Sequence, residues 1–258
     1  MSRMAGAIEP GMPIEPWRTA VSRERQRRYH DAAEMQSGLF ADCVDLSVLA
    51  NDTILATRYL KTEAVDGLHA GQRMVQTAPV RFDEPLTLHG QVAEQWPVRK
   101  GSFVVYAFDF VTDDGRVPVR GELRSFQVDK AAMSAEGGGA ARAFAPEPWT
   151  VLFGKHPTAR RVMDYSFEFP DYLVHFDPAE AAAVGLKAPV AQGLMSLTWM
   201  MEAVARDGQP RELDIEAEFR SPIFWDDQVE VQANGDSELL VAKDGGVCSR
   251  GTILHLAR

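Results

Sequence analysis

Residues 193–206, GLMSLTWMMEAVAR, are the stretch on which the fold turns. Leu194, Met195, Leu197, Trp199, Met200 and Val204 make it apolar nearly all round, and a helix with no polar face has to be buried. Four strand patterns follow: Leu213–Arg220, Gln228–Ala233, Glu238–Ala242 and Val247–Leu256, the last pair separated by a Gly245-Gly246 turn. A buried helix followed by an antiparallel ladder predicts a sheet wrapped around that helix. Upstream, Pro178–Val184 reads as a short helix and Val162–Phe169 (VMDYSFEF) as the opening strand of the same unit.

The first half has the same order of elements. A helix is expected over Ser22–Met35 with Ser22 as N-cap, and a second over Asp45–Leu60. Strands are expected at Gln72–Phe82, Leu86–Gln95, Ser102–Thr112 and Val117–Val128, with Asp113-Asp114-Gly115 as a hairpin turn. Phe82-Asp83-Glu84-Pro85-Leu86 is echoed by Phe219-Arg220-Ser221-Pro222-Ile223, each ending a strand at a proline that cannot donate to the ladder. Between the halves, AAMSAEGGGAARAFAPEP (131–148) is small, Gly-rich and Pro-terminated. These features predict an α+β protein of two copies, residues 1–130 and 161–258, joined by a linker over 131–160. Two such units commonly join sheets edge to edge and bind ligands between them.

The 258 residues carry 27 Lys and Arg against 37 Asp and Glu, a net charge of −10, which argues against wrapping nucleic acid. The basic run Arg23–Arg28 reads as a solvated helix face. Cys43 and Cys248, far apart, read as buried thiols, and the scattered histidines show no metal-ligand spacing, so no metal is expected. His30, in a polar helical pattern, is expected to be exposed. No Gly-rich phosphate fingerprint is present, so no dinucleotide cofactor is expected. No apolar run approaches the ~20 residues of a membrane span, and the start lacks a signal-peptide core. A cytoplasmic protein is the expectation.

The chemistry concentrates in residues 170–196, PDYLVHFDPAEAAAVGLKAPVAQGLMS. Asp171 and His175 lie four apart just before a helix, where a carboxylate and an imidazole can share a water, one taking its proton and the other supplying one. Gly193 opens the apolar helix, where unpaired N–H groups can hold a developing oxyanion. Asp177-Pro178 reads as a helix start. Acid, base and oxyanion hole are the parts needed to add water across a double bond conjugated to a thioester carbonyl.

This segment resembles the MaoC-like hydratases and dehydratases, hot-dog folds that include the (R)-specific enoyl-CoA hydratases. Their signature runs approximately D-x-N-P-x-H-x-D-P, then a short helix, then G-F-x-x-P-I-x-H-G. Here Asp171 to Pro178 reads D-Y-L-V-H-F-D-P, and Gly185 to Gly193 reads G-L-K-A-P-V-A-Q-G, with no gap from His175 to Gly193. The resemblance implies a double hot-dog with the active site in the second unit and a first unit that shapes the pocket. It implies His175 as catalytic histidine, Asp171 as the nearest counterpart of the catalytic aspartate, and the Gly193 N–H as oxyanion donor. Tyr172, Gln192, Ser196 and Trp199 are the expected substrate-binding residues. The family's aspartate lies five before its histidine, where this chain has Pro170; Tyr172-Leu173 replaces Asn-Pro, and Gln192 stands at the second histidine. The implied substrate is an acyl-CoA or acyl-carrier thioester, hydrated or dehydrated without a cofactor, by a chain that can form a homodimer. A thioesterase on the same fold and a non-catalytic acyl-thioester-binding subunit remain the alternatives.

Overall fold

A computed structural model describes residues 8–58, 67–128 and 148–258. Its helices are α1 (Arg23–Ala32), α2 (Leu46–Thr57), α3 (Ala159–Tyr165), α4 (Pro178–Ala183) and α5 (Gly193–Ala205). Its strands are β1 (Pro13–Thr19), β2 (Gly67–Gln76), β3 (Leu86–Val98), β4 (Gly101–Thr112), β5 (Val119–Val128), β6 (Thr150–Lys155), β7 (Glu212–Phe219), β8 (Val229–Asn234), β9 (Glu238–Lys243) and β10 (Gly246–Ala257). All ten strands join one antiparallel sheet in the order β1-β3-β4-β5-β2-β7-β10-β9-β8-β6. Matching β6–β10 to β1–β5 makes that order read the same from both ends. The chain is therefore the double hot-dog expected, with α2 and α5 as the two central helices.

The units meet at β2 and β7, which pair from Gly71↔Glu218 to Gln76↔Leu213 with Arg73 opposite Glu216. Each central helix presses on a glycine of its last strand. A Cβ at Gly121 would lie 3.2 Å from Thr53 Cγ2, and one at Gly251 would lie 2.8 Å from Met200 Sδ. Arg120-Gly121 and Arg250-Gly251 are thus equivalent, a second internal echo. On α5, Leu194, Leu197, Met200 and Met201 are fully buried, each contributing about 1.5–3 kcal/mol of hydrophobic stabilisation. Where the central helices cross, the Thr198 hydroxyl donates to Ser47 Oγ at 3.0 Å and shares a 2.8 Å hydrogen bond with Tyr165.

Several expectations need correction. Val162–Phe169 is not a strand: α3 starts at Ala159, capped by the Thr158 hydroxyl, which accepts from the Arg161 N–H. The alternation of VMDYSFEF imitates a strand, but Val162 and Tyr165 are the buried face of a helix. The opening strand of the second unit is β6, inside the stretch read as linker. The remainder of that stretch, up to residue 147, lies outside the described residues. β1, with prolines at 13 and 16, adds a strand to those expected; it is an edge strand, where proline is tolerated. The first echo was out of register. Val44 N donates to Val80 O at 2.9 Å and Ala191 N to Ile223 O at 2.8 Å, so Pro79, not Pro85, is the counterpart of Pro222.

The basic run is not simply a solvated face. Arg27 is exposed and pairs with Glu24 and Asp31, but Arg25 is half-buried between Asp52 and Glu168, and Arg28 lies over the Phe167 ring at 3.6 Å. His30 is not exposed either; its Nε2 sits 2.9 Å from Asp45 Oδ2. The helices α1 and α3 repeat one pattern, Ser22/Arg25/Tyr29 and Thr158/Arg161/Tyr165. The two tyrosines meet edge to face at 4.9 Å, while Arg25 reaches Glu168 in the second unit and Arg161 reaches Glu34 in the first.

Candidate active site

The segment between α4 and α5 is stitched to the loop after β7. Val190 bridges to Phe224, the Ala191 N–H donates to Ile223 O, and the Trp225 N–H donates to Pro189 O at 3.1 Å. His175 closes a single 3-10 turn, Leu173–His175, held to this segment by a 3.1 Å hydrogen bond from Val190 N to Val174 O. Its ring returns the contact, with Nδ1 at 2.7 Å from the Val190 carbonyl oxygen. A carbonyl only accepts, so Nδ1 carries the hydrogen and Nε2 keeps a lone pair. Burial pushes the imidazole pKa down, and the hydrogen bond to Val190 only partly opposes it. The ring is a neutral base at neutral pH.

Three residues beyond Val190, Gly193 begins α5. A Cβ there would lie 2.7 Å from the Phe219 ring at the end of β7, so only glycine lets the helix start this close to the sheet. The first-turn N–H groups of a 13-residue helix carry a partial positive charge of about +0.5 in all. Gln192 is the N-cap residue but its side chain makes no cap hydrogen bond; it is 8% exposed, and its Nε2 has no hydrogen-bond partner among the described residues. A buried amide donor thus stands beside the open N–H groups of the helix, an arrangement able to receive a carbonyl oxygen.

Asp171 has a different partner from the one expected. Its carboxylate pairs with Arg58, the C-cap residue of α2, and its side chain is 64% exposed. Tyr172 packs edge to face on Phe169 at 6.1 Å. Ser196 is buried in the first turn of α5. Trp199 is fully buried and donates its indole N–H to Ala33 O at 2.9 Å, which makes it a core residue of the helix layer. Asp177 caps α4 as expected, accepting from Ala179 N at 2.7 Å.

Sequence reasoning missed His69. It lies on β2 of the first unit, and its ring meets the same Phe219 ring edge to face at 4.8 Å. Its Nε2 is held by Gly71 O and Gln72 Oε1, and burial pushes its pKa down to about 4. Nothing in the spacing of the histidines marks it, because its place depends on the β2–β7 pairing.

Neither a protein-family model nor a curated protein matches the sequence. Solved structures do match. HtdX from Mycobacterium tuberculosis superposes with a TM-score of 0.72 at 15% identity, covering 94% of this chain and 98% of that one. A MaoC-like dehydratase from Phytophthora capsici gives 0.68 at 17% identity, covering 95% and 97%. An acyl-ACP thioesterase from Bacteroides thetaiotaomicron gives 0.59 at 9% identity, covering 93% and 96%. At such identities the likeness speaks for the fold, and the fold is the double hot-dog found in MaoC-like dehydratases.

Proposed function

We propose that this protein hydrates an enoyl thioester, or dehydrates the corresponding 3-hydroxyacyl thioester, with His175 as the proton-transferring group. The observation that carries the reading is the 2.7 Å contact from His175 Nδ1 to Val190 O, which leaves the lone pair of Nε2 to act as a base and holds the ring against the segment leading into Gly193. The fold of MaoC-like dehydratases supports it.

In the hydration direction, Nε2 of His175 takes a proton from water as the oxygen bonds to C3. The electrons of the double bond move to C2 and onto the thioester oxygen. The Gly193 N–H and the Gln192 amide hold that oxygen while its charge develops. The imidazolium then returns the proton to C2, so one water is added and the base is regenerated. Asp171, paired with Arg58, positions the loop and is not required to transfer a proton. Tyr172 and Ser196 remain the proposed substrate contacts, and either CoA or an acyl carrier can bear the acyl group.

Binding without turnover is the second reading, favoured by the withdrawal of Asp171 to Arg58. Hydrolysis of the thioester is the third, favoured by the thioesterase among the structural neighbours. Crotonyl-CoA and longer enoyl-CoAs separate the three. Loss of conjugated absorbance without thiol release supports hydration, and thiol release without hydration supports hydrolysis. Tight binding with neither leaves a binding subunit.

A further inference from the structure

The pseudo-twofold that relates α5 to α2 carries the candidate active site onto a second place, in the first unit. The paired hydrogen bonds Val44 N–Val80 O and Ala191 N–Ile223 O set the register, so Cys43 takes the place of Val190 and Arg81 that of Phe224. There the fold leaves a half-open cavity of about 370 Å³. Its walls come from the chain before α2 (Asp42, Cys43), the loop after β2 (Pro79–Arg81) and the loop between α5 and β7 (Gln209–Arg211).

These walls are fixed. Gln76, 3% exposed at the end of β2, donates its amide to the carbonyl oxygens of Pro210 and Arg211 at 3.0 and 3.1 Å. The Arg211 N–H donates to Ala257 O at 2.8 Å, the Arg81 N–H to Glu84 Oε2 at 3.0 Å, and Cys43 Sγ to Gln209 Oε1 at 3.5 Å. The backbones of both arginines are therefore held, yet neither guanidinium has a carboxylate partner among the described residues. In a chain of net charge −10, two guanidinium groups against one lining carboxylate, Asp42, leave a local surplus of positive charge on this cavity.

We propose that this cavity binds a small organic phosphate ester, its phosphate between Arg81 and Arg211 and its apolar part against Pro79, Val80 and Pro210. One guanidinium fork satisfies a carboxylate, whereas two forks match the charge and three free oxygens of a phosphate. Asp42, the acid on the lining, disfavours further anionic groups near it. The thiol of Cys43 stays protonated, pushed up to about 11 by burial, so the site binds and does not react.

The test is calorimetric titration of the full chain with phenyl phosphate, beside benzoate and inorganic phosphate, and of its R81Q, R211Q and His175→Ala variants. Both arginines are exposed, so thermal melts of the variants should match the parent. We expect phenyl phosphate to bind one per chain, at least about tenfold tighter than benzoate or inorganic phosphate, and each arginine variant to weaken it at least about tenfold. The His175→Ala variant should bind it unchanged, which separates this site from the proposed thioester site. No binding at about 10 mM, or binding indifferent to both arginine changes, would overturn the proposal. Equal binding of benzoate would overturn the phosphate preference, and equal binding of inorganic phosphate the role of the apolar wall.

Discussion

Arg25 and Glu168, 143 residues apart in sequence, are joined across the two units by two charge-assisted hydrogen bonds of 2.8 Å. The same guanidinium holds Asp52, whose side chain is 1% exposed, and Tyr29 donates to Glu168 at 2.7 Å. Burial opposes the charge on Arg25, but the two carboxylates outweigh it and keep the guanidinium ionised. Replacing Arg25 with Met would leave Asp52 buried without its cation. The expected loss is about 3–5 kcal/mol by urea unfolding, and adding Asp52→Leu should recover part of it because the stranded charge is then gone.

The close approach of Gly193 to Phe219 makes a second prediction. Gly193→Ala puts a methyl group 2.7 Å from the ring. Overpacking of this kind costs about 1–3 kcal/mol and should shift the start of α5 enough to lower turnover as well. In the Gly193→Ala/Phe219→Leu double variant, chemical denaturation should show a loss smaller than the sum of the single losses, the mark of direct contact.

His69 makes the fold sensitive to mild acid. Its folded pKa is near 4, well below the ordinary 6.5, so between these values the unfolded chain takes up a proton that the folded chain refuses. Stability therefore falls as pH drops from 6.5 toward 4, by on the order of 2–3 kcal/mol for this one group. Unfolding free energies of the parent and a His69→Gln variant, measured across that range, should diverge in slope. Parallel curves would exclude His69 as the cause.

Much of the fold was legible because its strongest signals are local. The all-apolar character of Gly193–Ala205 and the alternation of β4, β5 and β10 each decide one element without reference to the rest. What escaped depends on tertiary context. β1 and β6 are short edge strands beside prolines or Gly-rich sequence, where propensity is weak. Arg25 sits among arginines that face solvent, and only the packing of α1 against α2 and the chain after α3 covers it. The repeats Ser22/Arg25/Tyr29 with Thr158/Arg161/Tyr165, and Arg120-Gly121 with Arg250-Gly251, were present in the sequence and would have fixed the duplication more firmly than the proline echo. At the candidate site, the place of His175 depends on a backbone carbonyl and that of Asp171 on Arg58, and no spacing rule contains either contact.

Asp171→Asn distinguishes a positioning carboxylate from a proton-transferring one. An exposed ion pair contributes only about 0–1 kcal/mol, so thermal stability should barely change. Hydration of crotonyl-CoA should fall far less than the ~10²–10⁴-fold expected for loss of an acid–base group. A drop of that full size would restore Asp171 to the chemistry.

The most direct test of the account is the pH dependence of kcat/KM for enoyl-CoA hydration, measured for the parent and for His175→Ala. The parent should show one acidic limb with a midpoint below 6.5, because burial lowers the His175 pKa and the neutral ring is the active form. The variant should lose that limb together with about 10²–10⁴-fold in rate while still binding the thioester. Hydration that survives His175→Ala undiminished, or a limb that persists without the imidazole, would contradict the central claim.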